Sequence, residues 1–177
     1  MKSLRLPSSS GFTLIEVMIA ILILAFGVLG LAGLQARSIT AENESYSRAQ
    51  AILLLQDMTT RLSANTAGFS AGDYAHAGVV FGTGYAGSDP DCDALTTPPV
   101  SAADVADTDV CAWSEALKNA TNVNAARGCI EAGSVANEVL VSVAWQGRDS
   151  SVTPTVDQPC ASAAITNGRR VVSQRVR

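Results

Sequence analysis

The stretch GFTLIEVMIAILILAFGVLGLAGLQ, residues 11–35, decides how the rest of the chain is read. From Val17 to Leu34 it holds eighteen consecutive apolar or glycine residues. That is the length at which a helix rising about 1.5 Å per residue crosses a hydrocarbon core about 30 Å thick. Phe12, Leu14 and Ile15 extend the run on its N-terminal side. The segment before it carries Lys2 and Arg5 and no acid, so the positive-inside tendency places the N-terminus in the cytoplasm and everything after Leu34 across the membrane. A secretory signal would have its small-residue cleavage site after the apolar region. Here the abrupt polar boundary, Ser8-Ser9-Ser10-Gly11, precedes it, and cleavage there would leave the helix attached.

Glu16 sits four residues inside the apolar stretch. A carboxylate embedded in lipid is costly unless it finds a partner, so intramembrane ionisable residues are by default functional. The next basic residue, Arg37, is about 30 Å further along a helix, so the partner must come from outside the run. The plain alternative is a glutamate at the membrane edge that snorkels to the headgroups.

Gly11-Phe12-Thr13-Leu14-Ile15-Glu16-Val17 resembles the N-terminal signal of type IV prepilins and type II secretion pseudopilins. The resemblance implies a prepilin peptidase that cuts between Gly11 and Phe12, N-methylation of the new terminal Phe12, and a charge pair between Glu16 and the free amine of Phe12 on a neighbouring subunit. It divides the chain into a leader at 1–11, a transmembrane and assembly helix at 12–34, and a periplasmic globular domain at 35–177.

The chain of 177 residues has room for one such domain. Its apolar run continues without proline into residues 35–65, where Ile52, Leu55, Thr59 and Leu62 fall at helical spacing and Asp57 stands four residues before Arg61. One helix is expected over residues 12–63, apolar all round in its first half and amphipathic in its second. Gly27, Gly30 and Gly33 recur every third residue within it, which fits either close helix packing or a soft point. Residues 66–99 have no sustained period and read as a connecting region with a short strand at 79–81. Ser101-Ala102-Ala103-Asp104 has the pattern of a capping box, and Ala106, Val110, Trp113 and Leu117 form a stripe for a second helix over 102–118. Val139, Val141, Val143 and Trp145 alternate along the best strand, with weaker ones at 129–131 and 170–176. The expected fold class is α+β, a long helix backed by a small antiparallel sheet.

Cys92, Cys111, Cys129 and Cys160 all lie beyond the membrane run, where disulfides persist. Their gaps lack the close pairs of zinc sites. Three connectivities are open; the expected one joins Cys92 to Cys111, tying the acidic loop to the second helix, and Cys129 to Cys160, closing a loop around the best strand. Between Arg61 and Lys118 there are eight acids and no Lys or Arg, whereas Arg169, Arg170, Arg175 and Arg177 end the sequence with no acid after Asp157. This opposition reads as solvated charge or a head-to-tail contact. A formal net charge of −4 argues against nucleic acid as a partner. Asp89, Asp91 and Asp93 alternate like the opening of a calcium loop, but Ala94 and Val100 replace its glycine and glutamate. His76 is the single histidine, expected as a half-exposed loop residue, and no G-x-S-x-G or H-E-x-x-H accompanies it. No catalytic set, cofactor, metal site or small-molecule substrate is expected.

Within the family, the Leu24 to Gln35 stretch, Asp57 to Asn65, the Trp113 helix and Val141 to Gln146 are similar to the PilV group of minor pilins. That resemblance implies a minor subunit that helps initiate, assemble or modify the type IV pilus, single-pass in the bacterial inner membrane. Its implied partners are other minor pilins, the major pilin, the prepilin peptidase and the inner-membrane assembly platform. A type II secretion pseudopilin and a membrane-anchored periplasmic binding domain are the alternatives.

Overall fold

A computed structural model of the chain describes residues 11–84, 91–95, 97–135, 137–147, 160, 165 and 168–177. The chain divides into two compact units, Met1–Glu42 and Asn43–Arg177. The long helix α1 (Leu14–Ala64) contributes to both.

The first turn of α1 closes on Thr13, whose carbonyl accepts from the amides of Glu16 at 3.2 Å and Val17 at 3.3 Å. Its hydroxyl accepts weakly from the Glu16 amide at 3.4 Å, the role of an N-cap threonine. From Phe12 to Glu42 every side chain is exposed, although most between Leu14 and Leu34 are apolar. Among the described residues this is the one helix long and apolar enough to cross a membrane. The helix runs unbroken through Gly27, Gly30 and Gly33, and a methyl group added at any of them would meet nothing within 4 Å.

In the second unit α1 buries Ala51, Leu55, Met58 and Leu62, spaced i, i+4, i+7, i+11. The face is turned by about one residue from the expected stripe. Ile52 stays 36% exposed, and fully buried Ala51 takes its place, because a methyl side chain lets the helix approach the core where a β-branched one would hold it off. Met58 likewise replaces Thr59.

A short helix α2 (Thr66–Ala71) follows where sequence periodicity predicts only a connection. Asn65 accounts for it. Its carboxamide oxygen accepts from the Gly68 amide, while its nitrogen donates to the Tyr74 hydroxyl at 3.1 Å and to the Ala102 carbonyl at 2.8 Å. Gly72, at φ +86°, ends the turn in the left-handed conformation that glycine adopts without strain.

Helix α3 (Ala102–Lys118) begins at the expected capping box, in which Ser101 accepts from the Asp104 amide and Asp104 from the Ser101 amide. Its stripe of Ala106, Val110, Trp113 and Leu117 is fully buried. The sheet comprises β1 (Phe81–Gly82), β2 (Arg127–Ala132), β3 (Val139–Gln146) and β4 (Arg169–Val176), all antiparallel and adjacent in chain order.

The main core joins the α1 and α3 stripes to Phe81, Ile130 and one face of β3, formed by Val139, Val141, Val143 and Trp145. The Trp113 indole N–H donates to the Leu54 carbonyl at 2.8 Å, which fastens α3 to α1. A smaller cluster of Cys129, Ala144, Cys160 and Ile165, with Val80 and Val171 against it, also forms around β2 and β3. Its strand members alternate with those of the main core, which places them on the other face of the sheet. The fold is α+β with a long N-terminal helix, as the sequence predicts.

Candidate assembly site

Gly11 lies outside the helix in open space, and Phe12 beside it is 83% exposed. Phe12, Glu16, Val17, Ala20, Ile21 and Leu24 line one apolar groove along the start of α1. Glu16 is its single ionisable group, and among the described residues it has no ion-pair partner. The arrangement is an exposed apolar helix face with one carboxylate in its first turn. It can pack against like helices, and it needs a cation supplied from outside to be comfortable in lipid.

The second unit is cross-linked. Disulfides join Cys92 to Cys111 and Cys129 to Cys160, with Cα separations of 5.6 and 5.7 Å. The first ties the acidic segment to α3, and the second anchors residue 160 over the outer sheet face.

The arginines near the end of the sequence are committed internally. Arg169 is buried, and its guanidinium donates to the Cys160 carbonyl at 2.9 Å. Arg170 pairs with Glu44 at 3.0 Å. Arg175 and Arg177 converge on the buried carboxylate of Glu138 at 3.2 and 2.6 Å. The Arg177 hydrogen bond, ahead of its charge and that of Arg175, holds Glu138 below its ordinary pKa. Arg169 and Arg170 are drawn into the fold, whereas Arg175 and Arg177 reach Glu138 while staying 61% and 73% exposed, so the solvated-charge reading holds for the last two.

On the acidic side, Asp109 accepts from Arg61 at 3.1 Å and from the Tyr74 hydroxyl at 2.7 Å. Arg61 also pairs with Asp57 across one helical turn. Burial, reinforced by the bond to Asp109, raises the Tyr74 pKa well above its ordinary value. Sequence reasoning found the Asp57 pair but missed Asp109, Tyr74, Asn65 and Glu138. Two signals were present: Asp109 adjoins the buried α3 stripe, and Asn65 has an N-capping side chain at the end of α1.

His76 corrects the expectation of a half-exposed loop residue. It is 8% exposed, its amide donates to the Ile130 carbonyl, and its ring meets Phe81 edge-on with centroids 5.5 Å apart. Of the three alternating aspartates, Asp89 lies outside the described residues. The Asp91 carboxylate accepts from the Asp93 amide at 3.1 Å, an aspartate turn.

Two family models match the chain: the prokaryotic N-terminal methylation motif over residues 6–32, and the type IV pilin Tt1218 family over residues 33–111. No curated protein and no solved structure matches it. The matched segments adjoin without overlap and take in the Gly11-Phe12 junction, all of α1 and most of α3. With its apolar N-terminal helix and small antiparallel sheet, the chain belongs to the type IV pilins, proteins that assemble with other pilins into a pilus.

Proposed function

We propose that this chain is a minor pilin of the type IV pilus, similar to the PilV group. It is made as a precursor with leader 1–11, assembly helix 12–34 and periplasmic domain 35–177. Prepilin peptidase cuts it between Gly11 and Phe12, and the new amine of Phe12 is methylated. The observation that carries the reading is the placement of Glu16. It stands in the first turn of an exposed apolar helix, four residues after Phe12 of a Gly-Phe junction, with no counter-ion among the described residues. Cleavage creates the positive amine that this carboxylate lacks, so processing and assembly become one electrostatic event between neighbouring subunits. The partners are other minor pilins, the major pilin and the inner-membrane assembly platform, and the subunit acts as a structural part.

The test expresses Glu16→Ala in cells lacking the native protein. Removing the carboxylate leaves membrane insertion intact. It strands a neighbour's amine in the apolar core, a loss of about 3 to 5 kcal/mol for one member of a buried pair, so incorporation into filaments should fall sharply. Surface pili, twitching motility and secreted exoproteins are measured together. Reduced piliation with normal secretion supports a minor pilin, the opposite pattern a pseudopilin, and wild-type assembly refutes the charge pair. Intact-mass analysis should find residues 1–11 missing and one methyl group added. Gly11→Arg should block that maturation, and an unprocessed Met1 in cells with active peptidase would overturn both pilin readings.

A further inference from the structure

A cleft of about 380 Å³ opens in the second unit between the Asn43–Ser47 turn of α1, the loop joining α3 to β2, and the end of β3. Asn43, Tyr46, Asn122, Asn124, Gln146 and Glu44 line it, together with Ser47, Thr121 and Gly147. No aliphatic side chain is among them, so the cleft has nothing to offer an apolar ligand or the apolar centre of a protein interface. Its one charged group, Glu44, is already neutralised by Arg170 at 3.0 Å, which leaves no free charge for a phosphate, a nucleic acid or a charged peptide. What remains is a ring of amides and hydroxyls with one half-exposed phenol ring.

Among the described residues, the amide side chains of Asn43, Asn122 and Asn124 have no hydrogen-bond partner. Each presents two donors and one acceptor. Neighbouring hydroxyls on a sugar ring donate and accept in the same alternating way, and an aromatic ring at the rim suits the apolar face of a pyranose. The walls are fixed before any ligand arrives. The Ser47 hydroxyl donates to the Asn122 carbonyl at 2.7 Å, and the Gln146 amide donates to the Asn124 carbonyl at 2.9 Å. A ligand therefore does not have to order the loop as it binds. The volume lies at the small end of ligand sites, about 300 to 1,000 Å³, and suits a mono- or disaccharide.

We propose that this cleft binds a neutral saccharide, as a ligand and not a substrate, with Tyr46 as the stacking surface and Asn43, Asn122 and Asn124 as readers of its hydroxyls. The proposal is independent of how the subunit is processed or assembled.

The experiment titrates the full-length protein, held in a detergent without a sugar headgroup, with glucose, galactose, N-acetylglucosamine and their β-linked dimers, by calorimetry. At least one should bind saturably, with affinity unchanged between about 0.05 and 0.5 M salt because no charge is involved. Tyr46→Ala and Asn122→Ala should each weaken that binding about tenfold, as expected for a lost stacking surface or hydrogen-bonding group. Both residues are exposed, so coincident thermal melts will establish that the variants are folded. The proposal is overturned if no member of the panel saturates, if binding collapses with salt, if neither substitution changes it, or if the cleft takes up neutral peptides and no sugar.

Discussion

Gly128→Ala sets two physical expectations against each other. Glycine inside a strand is weaker than alanine by about 0.5 to 1 kcal/mol, so propensity alone predicts a gain in stability. Packing predicts the reverse. Gly128 lies on β2 between Phe81 and Val143, and a methyl group there would overlap the six-membered ring of Trp113 and stand 2.7 Å from Leu117 Cδ1. The indole cannot swing aside freely, because it is fully buried and its N–H is held by the Leu54 carbonyl at 2.8 Å. Overpacking of this kind costs about 1 to 3 kcal/mol. For a unit of this size that lowers the melting temperature by about 4 to 12 °C. Thermal and urea denaturation of the full chain in micelles, followed by near-ultraviolet circular dichroism, measures it. The same substitution in a Trp113→Phe background is the control. Phenylalanine lacks the overlapped atoms, so the penalty should shrink there, with a coupling of about 1 kcal/mol or more. A Gly128→Ala protein as stable as wild type, or an equal penalty in both backgrounds, would refute the reasoning.

Glu138→Gln should flatten the acid limb of the stability curve. The carboxylate's pKa is depressed in the folded state, so its contribution is present above the ordinary value of 4.5 and lost as pH falls through the lower folded value. Melts from neutral pH to about pH 3 should then show wild type losing more than the variant. Replacing both Cys129 and Cys160 by serine should cost about 2 to 4 kcal/mol in urea denaturation, because the small outer cluster around them has few other contacts. Ser101→Ala removes the cap of α3 and should cost about 1 kcal/mol by the same assay.

The sequence was most legible where one periodicity dominated. The Ala106, Val110, Trp113 and Leu117 stripe and the alternation from Val139 to Trp145 each specify a face, and tertiary packing had no reason to override them. It was less legible where a small residue carried the decision. Ala51 counts little on a hydropathy scale, yet it is fully buried on the core face of α1, and the more apolar Ile52 drew the predicted face toward itself. Helix α2 was hidden because Gly68 breaks helical propensity. It survives since Asn65 caps the turn and a side chain at 68 would crowd the Ala102 carbonyl at 2.9 Å. Gly11, Phe12 and Glu16 belong to one segment, so the proposal they carry could be framed from the sequence, and the structure adds only their exposure. The polar cleft could not, since Asn43, Asn122 and Gln146 come together only after three elements have folded.

Strand β4 is fastened at both ends, by Arg170 to Glu44 on α1 and by Arg175 to Glu138 beside β3. Its apolar residues Val171, Val172 and Val176 are too few to distinguish one alignment from a neighbouring one two residues away, which would preserve the same inward and outward alternation. The charges make that distinction. Five residues of extended chain span about 17 Å, and that span must match the gap between two fixed carboxylates. The strand therefore works as a ruler: the span from Arg170 to Arg175 is matched to the distance between Glu44 and Glu138, so adding or removing a residue within 171–174 would put one of these two pairs out of step.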